Sequence, residues 1–133
     1  GFESVPELEH LAIECDIYCP CARGAGINDE TIPLLRCKSV AGCANNQLLE
    51  PRHAADLMNR GIVYAPDYVI NAGGIINVGV EMTENGYDET VALEWIERIY
   101  GNLKRVFEIS REEGIPTNKA ALQLAQARID AGR

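Results

Sequence analysis

Two short segments of the sequence carry residues whose types and spacing suit ligand binding. Residues 20–26 combine Cys21 with small residues and two glycines, which lets a flat ligand approach the backbone closely. Residues 42–47 contain the consecutive amides Asn45, Asn46 and Gln47, which offer donors and acceptors to a carboxylate or carboxamide. Each segment, taken alone, is equally compatible with a simple turn or a solvated loop.

A third segment, residues 65–78, is the most informative of the set. Its Asn71 precedes the adjacent glycines Gly73 and Gly74. Glycine costs roughly 1 kcal/mol within a helix, so we expect this pair at a helix entrance, where bare N–H groups can bind an anion. Ile75 and Val78 follow one helical turn apart and suit either an apolar ligand wall or ordinary core packing.

Each of these segments follows or overlaps a short apolar stretch that is typical of a buried parallel strand. Strands are predicted over residues 15–19, 39–43 and 62–65, and a crossover helix over residues 51–59, closed by Gly61. Ligands of open α/β sheets bind outside the carboxyl ends of the strands. The sequence therefore predicts an α/β fold with right-handed crossovers, in which the three segments meet at one edge of the sheet.

The remaining sequence predicts helices. A first helix is expected over residues 6–12, a long amphipathic one from the N-cap Asp88 to about Gly114, and a last one from the N-cap Thr117 to about Ile129. On the long helix an apolar stripe is predicted to be core packing, and it includes Trp95, Ile99 and Phe107.

The length of 133 residues and the formal net charge of −8 restrict the classes of protein. The length fits a single domain or a piece of a larger one. The acidic balance disfavours nucleic acid and anionic membrane surfaces as partners. No apolar run approaches the ~20 residues of a membrane span, and no signal-peptide pattern is visible at the start. We therefore expect a cytoplasmic protein.

Five cysteines, an odd number, favour free thiols in a reducing compartment over a disulfide framework. Cys15, Cys19 and Cys21 have the spacing C-x3-C-x-C, which is not that of a zinc knuckle, and no nearby histidine completes a tetrahedron. Buried, inert thiols are expected, and no metal site is predicted. His10 and His53 are expected at the surface rather than in catalysis.

Common catalytic signatures do not occur in the sequence. It has no G-x-G-x-x-G after a strand, no phosphate-binding G-x-x-x-x-G-K-[ST], no H-E-x-x-H and no G-x-S-x-G. Lys38, Lys104 and Lys119 do not have the apolar surroundings of a lysine tuned to act as a base. No catalytic residue is predicted within the chain.

The three segments together resemble a known family. They read C-D-I-Y-C-P-C-A at 15–22, A-G-C-A-N-N-Q-L at 41–48 and G-I-V-Y-A-P-D-Y-V-I-N-A-G-G-I-I-N-V at 61–78. In this order and spacing they closely resemble the second half of the nucleotide-binding domain of the glutamate/leucine/phenylalanine/valine dehydrogenase family, nearest to its leucine-type members. The resemblance spans nearly the whole chain.

That resemblance implies a partial Rossmann-type NAD-binding domain over residues 1–83 and a C-terminal helical segment, residues 84–133, packing on it. It implies NAD-linked, reversible oxidative deamination of an L-amino acid to its 2-oxo acid and ammonia. Cys21 and Ala22 would line the cofactor groove, and Asn45 would contact the substrate carboxylate or nearby cofactor. Asn71 would lie by the nicotinamide ribose and substrate.

By the same resemblance Ile75 and Val78 shape the specificity pocket. Both are aliphatic here, so an apolar side chain of leucine type is favoured over glutamate, whose second carboxylate would have no partner. Arg23 stands where relatives typically carry an apolar residue, which alters the cofactor contact at that position.

The family's catalytic lysines and glycine fingerprint lie upstream of the part of the family that this sequence resembles. We therefore predict an inactive C-terminal fragment of such a dehydrogenase. The alternative is a stand-alone, non-catalytic module for ligand binding or self-association. Because half a Rossmann sheet leaves a strand edge uncovered, a homo-oligomer is predicted.

Overall fold

A three-stranded parallel sheet is the centre of the fold in the computed structural model, which describes residues 8–132. The strands are β1 (Cys15–Tyr18), β2 (Cys37–Val40) and β3 (Val63–Tyr64), in the order β1-β2-β3. Both neighbouring pairs are parallel. The predicted α/β fold, a partial Rossmann-type sheet with helices followed by C-terminal helices, is confirmed.

Helices connect the strands and form the second half of the chain. Two short 3-10 helices occur, at Glu9–Ala12 and Ile32–Leu34. The α-helices are α1 (His53–Asn59), α2 (Asp67–Ile70), α3 (Gly73–Glu81), α4 (Glu89–Glu113) and α5 (Thr117–Asp130). None of the helices within residues 8–132 is both long enough and apolar enough to cross a membrane.

Register places three large residues of the strands on one face of the sheet. Tyr18, Val40 and Tyr64 are paired across the three strands, and Val40 and Tyr64 are fully buried. Their neighbours in sequence point to the opposite face. On that face Ile17 is 60% exposed and Val63 is 48% exposed, so the described residues leave part of it uncovered.

Several predicted boundaries were wrong by one to three residues. The strand predicted over 39–43 ends at Val40, because the chain leaves the sheet at Gly42, which packs on the backbone of Pro20. The strands predicted over 15–19 and 62–65 are shorter than expected, and the helix predicted over 51–59 begins at His53. The helix predicted over 6–12 is a 3-10 turn from Glu9, and its start lies outside the described residues.

The ends of α4 confirm the capping residues predicted for it. Asp88 accepts hydrogen bonds from the backbone N–H groups of Thr90 and Val91, and Gly114 ends the helix with a left-handed φ of 64°. The prediction of Thr117 as the N-cap of α5 was wrong. Pro116 is the cap residue, and the Thr117 hydroxyl is buried and has no partner among the described residues.

The packing of α4 differs from the predicted apolar stripe. Trp95, Ile99 and Phe107 are only half-buried. The tightly buried contact between α4 and α5 is made by smaller side chains, which are Val106, Ile109, Ala120 and Ala121. Trp95 and Ile99 therefore border a depression between these helices rather than fill a core.

Candidate functional site

The loops that follow β1 and β2 lie side by side at the carboxyl edge of the sheet. We call residues 19–26 the first loop and residues 41–47 the second loop. The Ala44 backbone N–H donates to the Pro20 carbonyl at 3.0 Å, and the Ala25 N–H donates to the second loop at 2.7 Å. Because parallel strands end at the same edge, two distant parts of the sequence form one surface.

Asn45 and Asn71 are hydrogen-bonded to each other across this surface. The Asn71 Nδ2 donates to the Asn45 Oδ1 at 2.7 Å and to the Cys43 carbonyl at 3.3 Å. Asn71 follows the last residue of α2, which brings the third segment against the second loop. Within residues 8–132 no hydrogen bond occupies the Asn45 Nδ2 or the Asn71 Oδ1. The pair therefore offers one donor and one acceptor to a ligand.

A buried pair, Tyr64 and Asp67, holds the backbone of the second loop in place. The Tyr64 hydroxyl donates to the Asp67 Oδ1 at 2.9 Å, and the Asp67 Oδ2 accepts the Asn46 backbone N–H at 2.6 Å. Burial raises the pKa of Tyr64 far above its ordinary value, which keeps the hydroxyl protonated as a donor. Asp67 thus fixes the backbone next to Asn45, and sequence analysis had not identified this role.

Tyr64→Phe is expected to lower the free energy of unfolding by about 2 kcal/mol, because one oxygen of the buried Asp67 carboxylate loses its donor. Tyr68→Phe is the matched control, since the Tyr68 hydroxyl is exposed and donates to the Asn118 carbonyl at 3.2 Å. The control should change stability by less than ~0.5 kcal/mol. Urea denaturation measures both, and equal midpoints for the two variants would contradict the support assigned to Tyr64.

Cys21 and Ala22 line a cleft of about 850 Å³ beside the first loop. Its wall includes His10 and Tyr18, whose rings stack with centroids 5.8 Å apart. A volume of this order is typical of cofactor and small-molecule sites. Asn45 is not part of the cleft lining, so the cleft and the asparagine pair are neighbouring features of one edge rather than a single pocket.

The glycine pair lies at the start of α3, as predicted. The helix begins at Gly73, and its cap residue Ala72 makes no side-chain hydrogen bond to the first N–H groups. On the first turns Ile75 is 72% exposed and Val78 is 49% exposed, one helical turn apart. No lysine or arginine occurs in α3. Ile75 and Val78 therefore form an exposed apolar patch on this helix, and the helix itself offers no cation for a second carboxylate.

Gln47 does not belong to the exposed amides, contrary to the prediction for the second loop. Its side chain is fully buried, and its Nε2 donates to the carbonyls of Gly42 at 2.6 Å and Ala44 at 3.0 Å. These bonds tie the loop back on itself, so Gln47 is structural. Only Asn45 and Asn46 of the three amides face outward.

The prediction of buried, inert cysteines was wrong for three of the five. Cys19, Cys21 and Cys43 are exposed, Cys15 is half-buried, and Cys37 alone is buried. The reason is local, because the strands end before these residues and the thiols lie on the loops. The Cys19 and Cys21 sulfur atoms are 3.5 Å apart.

His53 is fully buried, although the sequence predicted a surface position. With Asp29 and Asp56 it forms a cluster of three metal-ligand types. Its Nδ1 accepts the Glu50 backbone N–H at 3.0 Å, so the proton lies on Nε2, which faces the Asp29 Oδ1 at 3.5 Å. A metal ion could bind Nε2 only if that proton were absent. The hydrogen bond at Nδ1 therefore does not fit a metal ion bound to His53.

The Asp29 carboxylate instead forms an ion pair with Arg52. The guanidinium donates to both Asp29 oxygens and holds the pKa of Asp29 below its ordinary range. The cluster is therefore an ion pair at the start of α1, beside the buried His53.

A parallel α/β sheet with amides and a cleft at its carboxyl edge defines a domain of the nucleotide-binding class. The profile of the Glutamate/Leucine/Phenylalanine/Valine dehydrogenase family matches residues 1–132, and the chain belongs to this family.

Similarity to individual enzymes is high over the whole chain. The chain is 57% identical to the leucine dehydrogenase of Bacillus subtilis (strain 168) over 133 residues, which cover 100% of this chain and 36% of that enzyme. It is 55% identical to the leucine dehydrogenase of Thermoactinomyces intermedius over 133 residues, again 100% of this chain and 36% of that enzyme. The chain thus spans about a third of the length of these relatives.

Solved structures agree with the fold. The crystal structure of L-tryptophan dehydrogenase from Nostoc punctiforme has a TM-score of 0.91 and 47% identity, and covers 96% of this chain and 38% of that one. A hetero-hexameric glutamate dehydrogenase from Thermus thermophilus, in its Leu-bound form, has a TM-score of 0.70 at 21% identity, over 95% of this chain and 31% of that one. The second likeness concerns the fold alone.

Proposed function

We propose that this chain is the C-terminal part of an amino acid dehydrogenase, which includes half of its NAD-binding domain. The proposed reaction of the parent enzyme is NAD-dependent, reversible oxidative deamination of an apolar L-amino acid of leucine type. The observation that carries the proposal is the hydrogen-bonded pair Asn45 and Asn71 at the carboxyl edge of a parallel sheet, in a chain of this family. The proposed boundary separates residues 1–83 from the helical residues 84–133.

The first loop suits the dinucleotide. Cys21 and Ala22 line the cleft of about 850 Å³. Gly24 lets the first loop approach the Asn45 and Asn46 carbonyls of the second loop closely, because a Cβ there would lie 2.8 Å from the Asn45 oxygen. The uncapped start of α3 is suited to an anionic group of the cofactor. NAD, when bound, supplies the hydride acceptor of the reaction.

The asparagine pair suits the substrate end of the cofactor. The Asn71 Nδ2 is used to orient Asn45, which leaves the Asn45 Nδ2 as a donor for a substrate carboxylate or the nearby cofactor. The Asn71 Oδ1 is left as an acceptor for a ribose hydroxyl or the substrate. We assign no proton transfer to either amide, because neither titrates near neutral pH.

Within residues 8–132 no lysine is placed to act as a base. Lys38 is exposed and pairs with Asp16 at 2.7 Å, and Lys104 and Lys119 lie exposed on α4 and α5. General base catalysis needs a group whose pKa lies near the working pH. We therefore propose that this chain has no turnover alone with leucine and NAD. Activity of the pure chain would contradict this part of the proposal.

Ile75 and Val78 are proposed to form the apolar wall of the substrate pocket. Val78→Ala removes two methyl groups, each worth roughly 0.8 kcal/mol of apolar contact, and is expected to raise KM for leucine about tenfold with little change in kcat. Asn77→Ala is the matched control, since Asn77 is its exposed neighbour on α3. Steady-state kinetics of the complete enzyme measure both variants. Equal KM values for the two variants, or a preference of the enzyme for glutamate, would overturn the assignment.

One observation favours a second candidate, the stand-alone module for ligand binding or self-association. The outer face of the sheet exposes Ile17 and Val63, which suits a contact between copies of this chain. The parent enzyme is also proposed to be a homo-oligomer. The reading frame upstream of Gly1 separates the candidates. A coding region with G-x-G-x-x-G and paired lysines supports the dehydrogenase, whereas a start codon directly before Gly1 supports the module.

A further inference from the structure

Three exposed thiols converge beside the proposed cofactor cleft. Cys19 and Cys21 follow β1, and Cys43 follows β2, so the parallel strands bring them to the same edge of the sheet. The Cys19 and Cys21 sulfur atoms are 3.5 Å apart, and Cys21 itself lines the cleft. The bonds described for the asparagine pair do not involve these thiols. Asn71 contacts Cys43 only through its backbone carbonyl.

Cys21 is the thiol of this cluster whose anion the neighbouring groups stabilise most. The backbone N–H of Cys43, followed by the thiols of Cys19 and Cys43, stabilises its anion and lowers the pKa of Cys21. The pKa values of Cys19 and Cys43 are raised by the same contacts, first by the hydrogen bond to Cys21 in each case. One exposed sulfur is thus favoured as the thiolate, and a second thiol lies against it, which is the arrangement of a redox-sensitive pair.

We propose that Cys21 is a modification site for hydrogen peroxide, with Cys19 as its resolving thiol, and that the resulting disulfide weakens binding of the dinucleotide in the adjoining cleft. The second half of this inference rests on the function proposed above. The first half rests on the cluster alone.

The chemistry balances in two steps. The Cys21 thiolate attacks one peroxide oxygen, an S–O bond forms, the O–O bond breaks, and hydroxide leaves and takes up a proton to become water. The Cys19 thiol then loses its proton and attacks the Cys21 sulfur, an S–S bond forms and the S–O bond breaks, and hydroxide leaves with that proton as a second water. Two thiols are oxidised and one peroxide is reduced.

Formation of the bond alters the cleft because the two sulfur atoms must approach from 3.5 Å to about 2.05 Å. Only Pro20 separates the two cysteines, and its carbonyl accepts the Ala44 backbone N–H. We therefore expect closure of the disulfide to move Cys21 at the cleft wall or to strain the hydrogen bond between the Pro20 carbonyl and the Ala44 N–H.

The first test identifies the disulfide by digestion with trypsin and mass spectrometry. Cleavage after Arg23 and Lys38 separates Cys19 and Cys21 from Cys43, which lies in the peptide Ser39 to Arg52. The complete protein that carries this chain is treated with hydrogen peroxide, free thiols are blocked, and the digest is examined by mass spectrometry. The expected result is a loss of two hydrogens from the peptide that ends at Arg23, with the Cys43 peptide alkylated.

Variants assign the two roles. Cys21→Ser should abolish the disulfide, and Cys19→Ser should stop the reaction at a sulfenic acid that dimedone traps on Cys21. Cys15→Ser is the matched control, because Cys15 lies in the same peptide at the far end of β1, and it should keep the disulfide. A fully reduced peptide, a cross-link to the Cys43 peptide, or loss of the disulfide in the control would each overturn the assignment.

Fluorescence titration with NADH tests the effect on the cleft. The oxidised protein is expected to bind NADH at least tenfold more weakly than the reduced one, with recovery after dithiothreitol, and the Cys19→Ser protein should not form the weakly binding disulfide. Unchanged affinity of the oxidised protein would overturn the effect on binding. If the reduced protein does not bind NADH, the function proposed above fails, while the mass result still decides the chemistry of Cys21.

Discussion

Gly42→Ala is expected to destabilise the fold by about 3 kcal/mol or more, because the methyl group has no space. A Cβ at this position would overlap the Pro20 carbonyl oxygen and lie 2.6 Å from the Pro20 nitrogen and 2.7 Å from its carbonyl carbon. All three are backbone atoms, which no rotamer change can remove. The φ of Gly42 is not in the left-handed region, so the requirement for glycine is one of close approach.

The effect of Gly42→Ala should extend to the site. Separation of the two loops would break the bond from the Ala44 N–H to the Pro20 carbonyl, and the Gly42 carbonyl accepts the buried Gln47 side chain at 2.6 Å. Both contacts hold the second loop, on which Asn45 lies. The variant should therefore lose ordered loop structure even where some of the sheet persists.

Gly101→Ala is the matched control for this prediction. Gly101 lies within α4, and a Cβ there would meet no atom within 4 Å. Alanine should stabilise the helix by about 1 kcal/mol. Urea or thermal denaturation followed by circular dichroism measures both variants. Equal midpoints for Gly42→Ala and the unsubstituted protein would show that the two loops do not pack as described.

Patterns within one element were enough to predict the strands and the long helix. The three apolar stretches and the spacing between them predicted a parallel sheet, and Asp88 and Gly114 marked the ends of α4 through local chemistry that a sequence shows directly. The meeting of Asn45 and Asn71 followed from one further rule, that parallel strands end at one edge.

Burial of polar side chains could not be predicted in the same way. Gln47, His53 and Asp67 are polar, yet all three are buried. Gln47 and Asp67 bond to the backbone of the second loop, and His53 accepts the backbone N–H of Glu50. Whether such a residue faces water depends on which segment packs over it. Only Asp67 had a sequence feature that indicated a structural role, because it is an acidic residue that follows a predicted buried strand together with Pro66.

The exposed thiols show the opposite error. Cysteine is among the most buried residue types, and the flanking residues of Cys19 and Cys43 are β-formers or small, so burial was expected. Pro20 and the close approach at Gly42 end the strands earlier than the apolar pattern does. A shift of one residue at the end of β1, or of three at the end of β2, thus separates a core cysteine from an exposed one.

Asn71→Asp is expected to lower kcat/KM of the proposed complete dehydrogenase for leucine about 100-fold, equivalent to about 2.7 kcal/mol of transition-state stabilisation. The substitution replaces the Nδ2 donor, which now bonds the Asn45 Oδ1 at 2.7 Å and the Cys43 carbonyl at 3.3 Å, with a carboxylate oxygen. Three oxygens would then face one another without a proton between them.

Two consequences follow for the ligand. The Asn45 amide can relieve the repulsion only by turning its Nδ2 toward the new carboxylate, which withdraws the donor that we assign to the substrate. The added negative charge also lies where the proposal places a substrate carboxylate or nearby cofactor group, and like charges in a partly desolvated site repel strongly. Both effects weaken binding of the ligand and disturb its orientation.

Asn77→Asp makes the same chemical change on an exposed position of α3 and should leave kcat/KM within about twofold, because a solvated surface charge contributes little. Steady-state kinetics with leucine and NAD compare the two variants, and NADH titration reports the binding part separately. Since Asn71 is half-buried at the end of a short helix, we expect stability to change by less than ~1 kcal/mol. Normal turnover in Asn71→Asp would mean that the asparagine pair, although formed, does not contact the reacting ligand.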